Sequence, residues 1–583
     1  MSANWKLRFD NPVPEDDVQA LATKLKISPL VVGILWSRGY QDEEAVNNFL
    51  EPRLQNLPPL SELPGLLDSA KILAASLEKG EPFAVWGDYD VDGVTSSAVV
   101  LDYLRLRSKS DSFKPLNHLP NRLEEGYGLN TDGIQELYDA GVRTLLTVDC
   151  GISDYEPVKY AKALGMTVIV SDHHLPPEEL PPADAICNPR LDDTSPYVNL
   201  AGVGVAWLLM CGVHKFLPEN ELWGPAEAGF MPKFLDLVAL GTVADVVKLQ
   251  GPNRIIVRYG LELLTKAERI GVGELKEVSS YGRRDPVTAG QVGYNLAPRI
   301  NAAGRMGGPD EALTLLLSND FAEASKLAKK LDGMNAHRRS EEQRILEEAI
   351  AQAKTQLDNP ALVLHSDGWH PGIIGIVASR IVERFYRPTL ILCTPDEESG
   401  GDGRMKGSGR STDEFHLHDG LQAISDIFIS FGGHKQAAGM SLAPEDLEEL
   451  RARFNDIVRE QIGSEPLKHT LKVDHEVAFN NIGFPLLKEL ELLQPFGMGN
   501  PEPVFVTPPV KVKSYQAFGR DRDHVRMTLE DTENFITLPA KAWRQAETIP
   551  ADIAGRKACF AFTPKVDTYT GVPRIEINVK DWS

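Results

Sequence analysis

The sequence predicts an α/β protein of two lobes joined by long helices and followed by a small β-barrel. Three observations carry that prediction. Between residues 83 and 247, short β-branched runs alternate with helical stretches, as in a parallel sheet built from βαβ units. A second strand-and-helix alternation starts at ALVLHSD, residues 361–367. After Leu467 the runs shorten and turn residues recur about every ten positions, the pattern of a small barrel. A chain of 583 residues also exceeds what one core normally supports.

Each part follows in chain order. Residues 1–60 read as short helices punctuated by Pro and acidic turns. Residues 61–309 hold the first lobe, with strands at 83–86, 144–148 and 167–170 and a weaker one at 185–187. The first three end in acidic or histidine-bearing turns. Ligands of open α/β sheets bind beyond the carboxyl ends of the strands, so those turns are expected to converge. Residues 310–356 are rich in Ala, Leu, Glu and Lys, with Leu327, Leu331 and Met334, then Ile345, Leu346, Ala349 and Ile350, at helical spacing. They predict long helices bridging the lobes, although the periodicity equally allows a helical pair on one domain. Residues 357–463 form the second lobe, with three glycine-rich turns, and residues 464–583 the barrel.

Composition narrows the class. With 42% hydrophobic and 25% charged residues, the chain has the make-up of a globular protein and no mark of disorder. No run of eighteen apolar residues occurs, and MSANWKLRFD lacks an apolar signal region, so a cytoplasmic protein without membrane contact is expected. Cys150, Cys187, Cys211, Cys393 and Cys559 are scattered, with no CxxC pair, which excludes a zinc cage and a disulfide framework. A net charge of −22 argues against nucleic acid unless some of the acidity is metal-ligand carboxylate, which a bound cation inverts locally.

The chemistry concentrates in Gly87-Asp88-Tyr89-Asp90-Val91-Asp92-Gly93, between the strand FAVW and the helical run VTSSAVVLDYL. Three carboxylates in five residues repel one another unless cations neutralise them. A solvated turn is the bland alternative; an EF-hand would need a later Glu that is missing. Val148-Asp149-Cys150-Gly151, Ser171-Asp172-His173-His174 and Gly241-Thr242-Val243-Ala244-Asp245 follow at later strand or apolar-run ends. Oxygen and imidazole ligands without thiolate suit Mn²⁺ or Mg²⁺. A carboxylate able to bridge suits two ions about 3.5–4 Å apart, the arrangement that promotes in-line displacement at phosphorus.

In order and spacing, DYDVDG, VDCG, SDHH and GTVAD resemble the DHH phosphoesterase superfamily, named for its third motif. The resemblance implies Asp90, Asp92, Asp149, His173 and Asp245 as direct metal ligands, with Asp149 bridging. It implies His174 as an orienting or phosphate-contacting partner. Many members carry a histidine four residues before the Asp90 position, where this chain has Trp86; Asp88 or water would substitute. HLPNRLEEGYGLN (118–130) and PRINAAGRM (298–306) resemble the single-stranded-DNA exonucleases of the superfamily. HPGIIGIVASRI, GSGRS (407–411) and GGHKQAAG (432–439) resemble their DHH-associated domain, and the terminal barrel their OB-type domain.

That resemblance implies a 5′→3′ exonuclease producing 5′-mononucleotides from single-stranded DNA in recombination and repair. It also implies single-strand-binding protein and a helicase as partners, and a monomer is expected. Ser408 and Arg410, read in a turn of small residues, would hold a terminal phosphate through backbone N–H groups and a guanidinium. Arg122 is implied as a second 5′-phosphate ligand, His434 as a contact to the terminal nucleotide, and Asn301 and Arg305 as lining for the strand. In the barrel, Lys511, Lys513, Arg520, Arg522 and Arg526 interleave with Tyr515 and Phe518, which suits a single strand with stacked bases. For each lone Arg the alternative is a surface ion pair, and for the barrel segment a solvated hairpin. Two other functions stay open at this stage. One is a phosphodiesterase for short oligonucleotides or cyclic dinucleotides; the other is an inactive DNA-binding scaffold.

Overall fold

The computed structural model describes residues 4–8, 13–110, 113–121, 125–227, 229–280, 282–306, 308–395, 403–463, 465, 467, 469–568 and 571–583. Two compact units emerge. The larger comprises Leu57–Leu467 with Gly497–Gly499, and the smaller Met1–Asn56, Lys468–Phe496 and Asn500–Ser583.

The larger unit opens with a five-stranded sheet in the order Leu116–His118, Phe83–Gly87, Thr144–Val148, Thr167–Ser171, Ala185–Cys187, every pair parallel. Phe83–Gly87 and Thr144–Val148 are buried throughout, as parallel strands covered on both faces must be. Helices Leu66–Glu78, Val91–Arg107, Gly202–Phe216 and Leu235–Ala244 contact one another, while Thr131–Asp139 and Tyr155–Ala163 form a separate pair. The strands are close to those expected from sequence, and their carboxyl ends carry the acidic and histidine turns.

Between the lobes lie Pro309–Leu317 and the 34-residue helix Phe321–Lys354, capped by Asp320 accepting from Glu323 N at 2.7 Å. This helix does bridge. It touches Ala297–Met306 of the first lobe, and Ile345, Ala349 and Ala353 enter a core with Leu362, Ile374, Val377 and Ile391 of the second. The second sheet runs Phe428–Gly433, Ala437–Leu442, Met405–Arg410, Thr389–Cys393, Leu362–His365, with only the last pair parallel.

One expectation is corrected here. GSGR is not a turn; Ser408 and Arg410 lie in the central strand Met405–Arg410, hydrogen-bonded to neighbours on both sides. Its glycines answer a packing constraint, because a Cβ at Gly407 would fall 2.7 Å from Met440 and one at Gly409 would fall 2.8 Å from Leu390. Glycine faces the core while Ser408 and Arg410 share the opposite face.

In the smaller unit, helices Glu15–Leu25, Pro29–Ser37 and Glu43–Leu50 appear where short helices were expected. They share one core with the C-terminal segment: Val31, Ile34, Leu35 and Phe49 join Phe479 and Leu487, and Val510 and Phe560 of its strands. Strand Asn4–Leu7 pairs in parallel with Thr470–Val473. An eight-stranded sheet completes the unit, and Val510–Phe518, His524–Asp531 and Ile536–Ala542 are consecutive antiparallel neighbours in it.

Ile345→Ala should cost about 2–5 kcal/mol, because it opens a cavity where the long helix meets the second lobe. Urea denaturation followed by circular dichroism is expected to show the earlier midpoint.

Candidate metal centre

After strand Phe83–Gly87 the chain turns directly into helix Val91–Arg107, and Asp90 caps it. Asp90 Oδ1 accepts from Asp92 N at 2.8 Å and Gly93 N at 3.1 Å. One carboxylate oxygen therefore serves the backbone and the other is left for a ligand role. Asp92 points inward, where its carboxylate accepts from Gly202 N (2.6 Å) and Val203 N (2.9 Å). Those donors open helix Gly202–Phe216, whose N-terminal dipole favours an anion. A Cβ at Gly202 would lie 2.6 Å from Asp149 Oδ1, so only glycine lets the two carboxylates close on each other. AGVGVAW contains no acid or histidine, and sequence reading passed it over.

Asp149 follows strand Thr144–Val148 with φ of +61°, a left-handed conformation that Asp tolerates better than most residues. His173 follows Thr167–Ser171 and donates Nδ1–H to the Leu200 carbonyl at 3.0 Å. That bond fixes the tautomer and turns the Nε2 lone pair toward Asp149 Oδ1 (3.1 Å), Asp245 Oδ2 (3.7 Å) and Asp92 Oδ2 (3.8 Å). Asp245 ends helix Leu235–Ala244, and Val246 just beyond has φ of +60°, a strained value for a β-branched residue.

Among the described residues, three clusters of candidate ligand atoms result: Asp88, Asp90 and Asp149; Asp92, His173 and Asp245; and Asp149, His173 and His174. Asp149 belongs to two of them, the position of a bridge. Trp86 is buried in the core and stacks on His118 with centroids 3.9 Å apart, and Asp88 stands beside Asp90 and Asp149 instead.

Behind the histidines sits Asp172, also overlooked in the sequence although it begins the motif. It accepts from the backbone N of Ile152, His173 and His174 and pairs with His174 Nδ1 at 2.7 Å. Arg190 Nε donates to the His173 carbonyl at 3.2 Å, and the Tyr127 hydroxyl lies 3.3 Å from His174 Nδ1.

The electrostatics call for cations. Burial and then the neighbouring Asp92, Asp90, Asp88 and Asp245 charges push Asp149 well above the usual carboxylate range. Asp92 rises to about 7 through burial and Asp245, and Asp245 to about 7 through burial and Asp90. Burial lowers His173, keeping its imidazole neutral. His174 rises to about 9: burial alone would lower it, but its bond to Asp172 and the charges of Asp172, Asp245 and Asp92 together outweigh that burial. Asp172 stays below the usual range, its burial outweighed by His174 and its backbone donors. Asp149 Oδ1, His173 Nε2 and Asp245 Oδ2 are buried without a hydrogen-bond partner among the described residues. Acceptors facing acceptors at 3–4 Å fit a hard divalent ion and little else.

Elsewhere in the larger unit lie Ser408 and Arg410, the groups expected from sequence to form an anion seat. A Cβ on Gly375, in the first turn of helix Ile374–Phe385, would lie 3.0 Å from Ser408 Oγ and 3.2 Å from Arg410 Nη2. Side chain, guanidinium and helix N-terminus thus replace the turn amides expected from sequence. His434 is exposed in the hairpin between Gly433 and Ala437, and Ala437 pairs with Arg410. Arg305 Nη1 donates to Gly372 O at 2.8 Å, and Asn301 lies on the same helix, Ala297–Met306. Arg122 lies outside the described residues.

In the smaller unit the basic–aromatic stretch divides. Lys513 pairs with Glu530 at 3.0 Å, Lys511 is exposed, and Tyr515 packs partly on the core. Phe518 instead joins His524 and Trp543, the latter 51% exposed, with Arg526 5.2 Å from the Phe518 centroid. Arg520 and Arg522 lie in the adjoining turn. Trp543 was missed because it sits one strand further along the chain.

A buried acidic pocket at the strand ends of one lobe, with an associated second lobe, defines a DHH-type phosphoesterase. The family models described as DHH family N-terminal domain, DHHA1 domain and RecJ OB domain match residues 82–242, 358–460 and 473–581. The single-stranded-DNA-specific exonuclease RecJ of Bacillus subtilis is 34% identical over 99% of this chain and 71% of its own length. That of Salmonella typhimurium is 37% identical over 95% and 96%. The crystal structure of RecJ with Mn²⁺ from Thermus thermophilus superposes with a TM-score of 0.82 at 28% identity, over 100% of this chain and 79% of that one. Its Mg²⁺ counterpart gives 0.76 at 27%, over 99% and 78%. The chain belongs to the RecJ family of single-stranded-DNA-specific exonucleases.

With Asp92 and Asp245 near 7 when metal-free, divalent ions compete with protons for the same oxygens. Lowering pH through 7 fills those oxygens with protons and weakens binding. Calorimetric titration with Mn²⁺ is expected to show affinity rising roughly tenfold or more from pH 6 to pH 8, with proton release that shrinks as pH rises.

Proposed function

We propose that the chain is a 5′→3′ exonuclease that degrades single-stranded DNA to 5′-mononucleotides by Mn²⁺- or Mg²⁺-assisted phosphodiester hydrolysis, in DNA recombination and repair. The observation that carries the reading is the carboxylate of Asp149 shared between two clusters of ligand atoms, one with Asp88 and Asp90 and one with the neutral imidazole of His173 and with His174. The names of its relatives, single-stranded-DNA-specific exonucleases, support the substrate.

Asp88, Asp90, Asp92, Asp149, His173 and Asp245 would hold two ions, with Asp88 taking the role left open at Trp86. Bound there, divalent ions supply a lowered pKa for water and neutralise charge at the phosphorus. The protein's own groups do the rest. The Gly202 and Val203 amides keep Asp92 oriented, the Leu200 carbonyl keeps Nε2 of His173 aimed inward, and Asp172 keeps a proton on His174. The His174 imidazolium offers its second N–H to a phosphate oxygen.

Helix Ala297–Met306 ties this centre to the anion seat. A Cβ on Gly304 would collide with the Tyr89 carbonyl of DYDVDG, and Arg305 reaches Gly372 in the loop before Gly375. A terminal phosphate held by Ser408 and Arg410 then lies at a fixed offset from the hydrolysed bond, which is how a seat selects the 5′ end. Arg122, His434, Asn301 and Arg305 are assigned to the same strand. Lys511, Lys513, Tyr515, Phe518, Arg520 and Arg522 of the OB-type domain are assigned to single-strand binding by that domain, with Trp543 added from the geometry. By family resemblance the proposal extends to a cytoplasmic monomer working with single-strand-binding protein and a helicase. Among the described residues, no single helix is long and apolar enough to cross a membrane.

Digestion of 5′- and 3′-labelled single-stranded and duplex DNA with Mn²⁺, Mg²⁺ or chelator tests the activity. Asp149→Ala is expected to lower turnover at least roughly a thousandfold while retaining most strand affinity; near-wild-type cleavage by that variant would sink the assignment. Arg410→Ala should reduce the preference for 5′-phosphorylated over unphosphorylated ends by roughly tenfold, the worth of one charge-assisted contact. Equal losses on both substrates would count against the seat.

A further inference from the structure

One buried carboxamide joins the two loops that stand behind His173 and Asp245. Asn253 lies in the first turn of helix Gly251–Lys266 and is 1% exposed. Its Nδ2 donates to the Asn199 carbonyl at 2.6 Å and to the Lys248 carbonyl at 3.0 Å. Asn199 immediately precedes Leu200, whose carbonyl holds His173 Nδ1, and the Gly202 and Val203 amides that hold Asp92 follow in the same segment. Lys248 closes the short loop that begins at Asp245. Asn253 Oδ1, by contrast, is buried without a hydrogen-bond partner among the described residues. An apolar side chain would fill the same space without that cost. The position therefore answers a need for two donors, and Asn supplies both from one nitrogen.

The Lys248 loop is braced a second time within the larger unit. Leu249 N donates to the Met498 carbonyl at 2.8 Å, and Gln250 Nε2 to the Gly499 carbonyl at 2.8 Å, across 249 residues of chain. A Cβ at Gly497 would fall 2.7 Å from Leu249, and one at Gly499, where φ is +73°, would fall 3.1 Å from Lys248. Glycine is what admits so close a backbone. The brace also sits beside stored strain. Val246, between Asp245 and Lys248, holds φ of +60°. A β-branched residue keeps such a conformation only where its surroundings over-determine it, and the hydrogen bonds on Lys248, Leu249 and Gln250 do so.

We infer that Asn253 is a positioning residue for metal binding: it sets His173 Nε2 against Asp245 Oδ2, 3.7 Å away, with Gly497–Gly499 bracing the Asp245 side. The inference rests on the metal-centre reading and assigns the brace to one cluster alone. Asp92, His173 and Asp245 form that cluster. Asp88, Asp90 and Asp149 stand after strands Phe83–Gly87 and Thr144–Val148, to which Asn253 donates no hydrogen bond among the described residues.

Calorimetric titration of the full chain with Mn²⁺ resolves the two ions, and Asp245→Asn marks the step that belongs to the Asp245 cluster. Asn253→Leu keeps the volume and removes both donors. It is expected to weaken that step roughly tenfold, the scale of a lost orienting partner, and to change the other by less than about twofold. Added to Asp245→Asn, it should weaken Mn²⁺ no further, because both act on one ion. Gln250→Ala, at a half-buried position, removes the Gly499 bond alone and should weaken the same step by less. It carries the decision if circular dichroism shows Asn253→Leu unfolded. Cleavage of single-stranded DNA by Asn253→Leu should need roughly tenfold more Mn²⁺, with KM for DNA at saturating metal unchanged. Unchanged Mn²⁺ titrations, or equal losses at both steps, would overturn the inference. Wild-type chain that takes up no Mn²⁺ would instead overturn the metal-centre reading itself.

Discussion

Asp92, Asp149 and Asp245 crowd around one neutral imidazole, with Asp88 and Asp90 beside Asp149, and the mutual repulsion of these carboxylates in a largely buried pocket is the force that the surrounding structure must answer. Helix N-termini answer part of it. Backbone amides of one helix hold Asp92, and Asp90 caps another. Conformational strain accompanies the rest: Asp149 and Val246 both adopt left-handed backbone beside the site. Among the described residues, the inward-facing Asp149, His173 and Asp245 atoms have no hydrogen-bond partner, and their acceptor chemistry suits divalent ions.

The same logic explains a negatively charged nuclease. Part of the acidity is gathered where bound cations would reverse its sign, while Arg299, Arg338, Arg339 and Arg380 on helices and Arg410 on the central strand of the second sheet lie outside that pocket. Glycine recurs wherever two charged groups or two backbones must approach. Gly202 admits Asp92 to Asp149, Gly304 admits a helix to the metal-binding loop, and Gly375 admits a helix N-terminus to Arg410. Helix Ala297–Met306 touches both the DYDVDG loop, through Gly304, and the loop before Gly375, through Arg305.

Much of this was legible in the chain itself. Strand ends carrying DYDVDG, VDCG and SDHH announce their chemistry locally, because period, β-branching and turn residues sit within a few positions of one another. Long helices over residues 310–356 were legible for the same reason, but periodicity left open whether they bridge the lobes, which only the shared core of Ile345, Ala349 and Ala353 with the second lobe decided. GSGRS was misread because glycine serves turns and tight packing alike, and only the side chains of Leu390 and Met440 across the sheet distinguish the two. Asp172 was passed over because its role is to hold His174, which appears only once the turn is folded.

Residue type and local spacing therefore determined the fold class, the metal-binding chemistry and the family. Tertiary structure alone decided the rest: that the N-terminal helices share a core with C-terminal strands hundreds of residues away, that Gly202 completes the acidic pocket, and that arginines from separate helices line one cleft. The physical reason is range. Hydrogen bonding and periodicity act between near neighbours in the chain, whereas burial and charge sum over whatever the folded chain brings within a few ångströms.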